Sequence, residues 1–150
     1  MTESKESDPL ETGLGVVKVF IFIVVVVVGG FGLHLLLDIQ NTTVNTGATI
    51  GNLGQIRSAL SIYYGDMEGF YPQNLDELTV NRKYIESIPK VTVHKHFDTR
   101  KVAYYKTVGV NVKDTGRWGY VNDPSNMDYG TLFVDCTHTD IRKGKVWTTY

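Results

Sequence analysis

The chain has 150 residues, room for one modest domain or for a small domain with an anchor. Hydrophobic residues make up 42% and charged residues 21%, which excludes a wholly disordered or collagen-like chain. The formal net charge of −1 gives no chain-wide reason to expect nucleic acid as a partner, and one cysteine excludes both an intrachain disulfide and a zinc site built of cysteines alone.

Residues 1–13 are polar and acidic, with Glu3, Glu6, Asp8 and Glu11 set against Lys5. They read as an acidic cytoplasmic leader. From Val19 to Leu37 there are 19 residues without Asp, Glu, Lys or Arg, including the run Ile23-Val24-Val25-Val26-Val27-Val28. A helix of that length rises about 28 Å, close to the hydrocarbon thickness of a bilayer. β-Branched residues are mediocre helix formers in water, but in lipid only the helix satisfies the backbone of a single span. Residues 14–37 are therefore expected to form a transmembrane helix. A buried strand is the first rival, and strands usually run about five or six residues. A cleaved secretory signal is the second; it calls for a basic start and a small-x-small cleavage site, whereas this start is acidic. Gly29, Gly30 and Gly32 either admit a neighbouring helix or loosen their own. His34 is expected at the interface, as a lone histidine without a partner for proton relay. Lys5 and Lys18 come before the run and Arg57 is the first basic residue after it, so the positive-inside rule favours the N-terminus inside and residues 38–150 outside.

Ile50, Leu53, Ile56, Leu60 and Tyr63 recur at helical spacing and predict a helix over 47–64 with one core-facing stripe. It either continues the membrane helix or breaks from it within Asn41–Thr46. Gly69 and Pro72 end it, and Asn74 is placed to cap a short turn that buries Leu75 and Leu78. Tyr84-Ile85 and Ile88-Pro89 continue an irregular loop. From Lys90 onward the pattern turns to period two, through Val91, Val93, Val102, Tyr104, Val108, Val110 and Val112. Asp114-Thr115-Gly116 and Asn122-Asp123-Pro124-Ser125 are turns. Thr131–Cys136 reads as a strand, and Lys145–Thr149 as a last one. The expected fold is α+β: a long N-terminal transmembrane helix, then a small antiparallel sheet of three or four strands packed on the helix's C-terminal half.

Particular residues carry a resemblance. Gln55 to Pro72, with Ser61-Ile62-Tyr63-Tyr64 and Gly69-Phe70-Tyr71-Pro72, is followed by Leu75, Leu78, Tyr84-Ile85 and Ile88-Pro89. Farther on come Gly116-Arg117-Trp118-Gly119-Tyr120-Val121-Asn122-Asp123 and Tyr129 to Asp140, with Cys136-Thr137-His138-Thr139-Asp140 at its end. Over roughly residues 50–150 this order of blocks resembles the type IV pilin-like proteins, most closely the major pseudopilin of type II secretion systems. The resemblance implies a non-catalytic bacterial filament subunit, held first in the inner membrane by its apolar helix and then packed by it into a filament. It implies a pilin-like periplasmic or external domain over 38–150. The implied partners are the lipid bilayer, like subunits and other secretion or pilus assembly proteins. An apolar helix tolerates lipid and a bundle of its own kind alike. In that family a leader ends in a basic residue and Gly before a methylated Phe, with Glu five residues into the mature chain. Here the corresponding processing site is Thr12-Gly13 before Leu14, and Lys18 holds the glutamate's place. A buried lysine without a counter-charge is costly and would repel a neighbour's amine. The alternative is thus a permanently anchored pilin-like interaction or scaffold module that does not polymerise; a minor or tip subunit whose Lys18 meets a neighbour's glutamate is a further version.

Two pairs carry potential metal chemistry. His94 and His96, and Cys136 and His138, are each two apart and on strands would face one side. On neighbouring strands His94, His96, Cys136 and His138 would make a tetrahedral zinc site; otherwise they are ordinary strand residues. The resemblance also implies calcium in a C-terminal loop, for which Asp123, Asp128, Asp135 and Asp140 offer oxygens, against the plainer reading of turn aspartates. No nucleophile elbow, P-loop or dinucleotide fingerprint is present, and no enzyme is expected. Cys136 with His94 or His138 is the one conceivable catalytic pair. Tyr63, Tyr64, Phe70, Tyr71, Tyr104 and Tyr105 are expected to fill the core rather than form a binding patch.

Overall fold

The computed structural model describes residues 9–150. Residues 1–8 of the expected leader, and the side chains of residues 9–14 with the expected processing site at Gly13 and Leu14, lie outside the described residues. The chain divides between Asn41 and Thr42 into two units. A single helix, α1 (Pro9–Asp66), is 58 residues long, so no break falls within Asn41–Thr46. Helix propagation explains this: extending an existing helix through weak formers such as Thr42 and Thr43 costs less than ending it and nucleating another.

In the first unit, Gly15–Asp38 is long and apolar enough to cross a membrane, and none of it is buried. Phe20, Ile21, Phe22 and Ile23, four successive residues that point to different sides of the helix, are all exposed. His34 is not alone: its Nδ1 is 3.2 Å from Asp38 Oδ2, one turn on.

In the second unit the expected stripe enters the core. Leu53, Ile56 and Leu60 are buried, with Ile50 and Tyr63 packed at the margin. After α1, Glu68 and Gly69 take left-handed backbone angles and turn the chain. Asn74 then caps a 3-10 segment, Leu75–Arg82, as expected: its Oδ1 accepts from the Asp76 N–H, and Glu77 Oε1 accepts from the Asn74 N–H, each at 3.0 Å. Leu75 and Leu78 are fully buried.

Three strands follow in spatial order: β1 (Val102–Tyr105), β2 (Arg117–Val121) and β3 (Leu132–Asp135). The fold is α+β, but the sheet is mixed rather than antiparallel: β1 pairs with β2 in parallel, and β2 with β3 antiparallel. Side-chain alternation has the same period in both arrangements, so the pattern that locates a strand says nothing of its direction. Val108, Val110 and Val112 belong not to a strand but to the connection that returns the chain from β1 to β2. Gly109, Asn111, Asp114 and Gly116 all have positive φ within it. Val91 and Val93 are buried but pair only through an isolated bridge, Val91 to Thr99. The expected last strand is a single Thr139–Val146 bridge followed by a 3-10 turn, Trp147–Thr149.

The sheet buries both faces. Trp118, Tyr120, Leu132 and Val134 share a core with the stripe of α1. Ala103, Tyr105, Val121 and Phe133 form a second cluster on the opposite face, against Val108 of the connection. The Trp118 Nε1–H donates to Pro89 O at 2.8 Å and the Tyr120 hydroxyl to Pro72 O at 2.7 Å. Arg57 on α1 donates to Leu132 O at 2.7 Å, which ties the helix to β3. Of the six aromatics expected in the core, Tyr105 is buried and Tyr63 and Tyr71 are half-buried, whereas Tyr64, Phe70 and Tyr104 are exposed.

Candidate functional site

β3 ends at Asp135, and alternation sends neighbouring residues to opposite faces. Cys136, just past it, joins Leu132 and Val134 in the helix-side core. Asp135 points the other way and is fully buried. Its carboxylate accepts from the Lys113 N–H at 3.1 Å, from the Thr115 N–H at 3.2 Å and from the Thr115 hydroxyl. These bonds grip the residues on either side of Asp114, and the Gly116 N–H donates to Asp135 O at 2.8 Å.

That grip presents Asp114 to the chain leaving β3. Asp114 Oδ1 accepts from the Thr137 N–H at 2.7 Å. It also lies 3.6 Å from His138 Nδ1 and 3.5 Å from His96 Nε2. His138 Nδ1 is in turn 3.4 Å from Cys136 Sγ and 3.3 Å from His96 Nε2. One ligand atom from each of His96, Asp114, Cys136 and His138 therefore falls in a single knot, all within 4.8 Å of one another. Among the described residues this is the one group of three or more His, Cys, Asp or Glu side chains so arranged.

Three of the four zinc candidates read from the sequence, His96, Cys136 and His138, are thus brought together. His94 is not. The stretch is a turn rather than a strand, closed by the His96 N–H to Val93 O bond at 3.1 Å with Lys95 at φ 70°. The two histidines lose their common side, and His94 is exposed outside the knot. Asp114 is the ligand that spacing could not supply; the Asp-Thr-Gly turn was visible, but not its meeting with residues of another turn. Gly116 has a structural part as well. It sits at φ 67°, and a Cβ there would come within 2.4 Å of His96 Cβ, so only glycine lets the imidazole lie against this loop.

Burial pushes the Cys136 thiol up to about 11, against the lowering effect of the His138 N–H. A thiol so held is protonated at neutral pH, the opposite of an activated nucleophile. The Asp114 carboxyl is lowered, chiefly by the Thr137 N–H and further by the two nearby imidazoles. The side chains of His138 and Asp114 are 33% and 34% exposed and that of His96 only 12%, so the knot opens to solvent on one side.

The four aspartates considered for calcium have separate work. Asp123 accepts from the Ser125 N–H and hydroxyl. Asp128 accepts from the Thr107 hydroxyl at 2.6 Å and the Val108 N–H at 2.9 Å. Asp135 holds the loop before β2, and Asp140 takes the Arg142 and Lys143 N–H groups, each at 2.7 Å, together with the Tyr150 hydroxyl. Asp135 and Asp140 are buried, so the solvated-turn description suits only the other two. Lys18 is exposed near the start of the span Gly15–Asp38. Scans against protein-family models, curated proteins and solved structures each return no match for this chain.

Proposed function

We propose that the protein is a structural, non-catalytic, pilin-like subunit, anchored by one span in a bacterial inner membrane, with residues 38–150 in the periplasm or outside the cell. In this reading it serves a type II secretion or type IV pilus-like assembly, and its partners are lipid and like subunits or other assembly proteins. The observation that carries the reading is the double use of α1. Gly15–Asp38 is apolar and uncovered by the chain, while the same helix ends in the stripe Leu53, Ile56 and Leu60 at the heart of the domain. The 24 residues of the apolar part rise about 36 Å, enough to cross about 30 Å of hydrocarbon. Such a surface is stable in lipid or against apolar helices, and unstable in water.

Lys18 favours a second reading, in which the domain stays anchored and does not polymerise. Buried among packed helices, its charge would need a partner's carboxylate. Mass spectrometry of the N-terminus, on protein purified from bacterial membranes, separates the two. A chain beginning at Leu14 with a methylated amine supports the filament subunit. A membrane-bound chain that keeps the residues before Leu14 supports the permanent anchor. Recovery in the soluble fraction after detergent-free lysis would overturn both.

A further inference from the structure

We propose that His96, Asp114, Cys136 and His138 form a structural Zn2+ site that staples three separate segments of the domain to one another. The first argument is chemical. Two imidazoles, a carboxylate and a thiol that releases its proton to solvent as the metal binds are all zinc ligands, whereas hard cations such as calcium seek oxygen alone.

The second argument is metric. An ion held tetrahedrally at bond lengths of about 2.0–2.3 Å places nitrogen and oxygen ligands about 3.3–3.4 Å apart and a sulfur–nitrogen pair about 3.5 Å apart. Four of the six edges are 3.3 Å for His96–His138, 3.4 Å for Cys136–His138, 3.5 Å for His96–Asp114 and 3.6 Å for His138–Asp114, and the two from Cys136 to His96 and Asp114 lie within 4.8 Å. Direct hydrogen bonds among nitrogen and oxygen atoms would be shorter, near 2.9 Å. These groups therefore surround a point more than they bond to each other.

The third argument is support. The knot joins the turn at 93–96, the loop at 113–116 and the chain leaving β3, segments far apart in sequence. Each is fixed independently of any ion: His96 by its N–H to Val93 O and by the space Gly116 leaves, Asp114 by the Thr137 N–H and the Asp135 clamp, and His138 by its carbonyl, which accepts from the Trp147 N–H at 3.1 Å. Preformed ligands of this kind reduce the ordering cost of binding. Four protein ligands leave no open position for a substrate, which makes the site structural rather than catalytic. The partly exposed side at His138 and Asp114 gives the ion its way in. The site does not depend on whether the subunit polymerises.

The test uses the full chain in detergent, stripped with a chelator and titrated with Co2+ and then Zn2+. The expected result is one ion per chain, a Co2+ spectrum with the strong visible bands of a tetrahedral site and a thiolate charge-transfer band, and displacement of both by Zn2+. Cys136→Ser should abolish the charge-transfer band, and His96→Ala should weaken Zn2+ binding on the order of 100-fold or more. His94→Ala should leave stoichiometry and spectrum unchanged. A folded wild-type chain that gives no tetrahedral Co2+ spectrum and retains no Zn2+ after dialysis would overturn the proposal, whatever the variants do. So would a charge-transfer band that survives Cys136→Ser, or a tetrahedral spectrum that disappears with His94→Ala.

Discussion

Replacing Gly119 by alanine tests how the two faces of the sheet are packed. Gly119 sits in the central strand opposite Phe133. A Cβ at this position would lie 2.4 Å from Phe133 Cζ and 2.5 Å from Cε2. Carbon atoms rest at about 3.5 Å or more, so the ring would have to retreat by about 1 Å. It has little room: Phe133 is 1% exposed and its ring lies 5.3 Å from that of Tyr105, which is itself buried. Overpacking of this kind costs about 1–3 kcal/mol. Removing a glycine from the unfolded chain returns about 0.4–1 kcal/mol. The net loss should be about 1–2 kcal/mol, a fall in Tm of roughly 5–10 °C. Thermal and denaturant unfolding of the full chain in detergent, followed by near-ultraviolet circular dichroism, measures it. In a Phe133→Leu background the ring is gone, and the same substitution should cost close to nothing, giving a coupling of about 1 kcal/mol or more. Equal penalties in both backgrounds, or no penalty in the wild type, would refute the packing argument.

Two further predictions concern a helix cap and a pH dependence. Asn74→Ala removes the acceptor for the Asp76 N–H and for the Tyr104 hydroxyl, which is 2.6 Å away; a stability loss of about 1 kcal/mol is expected in denaturant titrations of the full chain in detergent. Asp140 is held below the ordinary carboxylate value of 3.8: burial alone would raise it, but the Tyr150 hydroxyl and the Lys143 and Arg142 N–H groups outweigh that. A lowered folded value means that the stabilisation is complete above the unfolded pKa and is lost as pH falls through the folded one. Acid unfolding monitored by Trp fluorescence should therefore be less steep below about pH 4 in Asp140→Asn than in the wild type; identical acid limbs would contradict this.

What the sequence disclosed follows from which signals are local. The apolar run from Val19 to Leu37, the stripe Leu53-Ile56-Leu60 and the cap at Asn74 each depend on residues within a few positions, and the structure has all three as helix, core and cap. Strand direction is not local. The parallel pairing of β1 with β2 is set by a connection whose left-handed residues, Gly109, Asn111, Asp114 and Gly116, break the valine alternation that had suggested a strand. The site shows the same division. Cys136 and His138 are near neighbours and their proximity is legible, but the spacing of His94 and His96 puts them on one side only if the stretch is a strand, and the turn at Lys95 separates them. Asp114 stood in a recognised turn, yet only the buried Asp135 carboxylate brings it to the histidines.

In the proposed function one apolar helix, Gly15–Asp38, holds this domain at a membrane. The most direct measurement is the partition of the full chain after detergent-free lysis of bacteria that express it, followed by an alkaline carbonate wash of the membranes and protease digestion of intact spheroplasts. The expected result is a chain that stays with the membranes through the wash and whose residues 38–150 are cleaved from outside. A chain released by carbonate, or found soluble with its apolar helix protected, would contradict it.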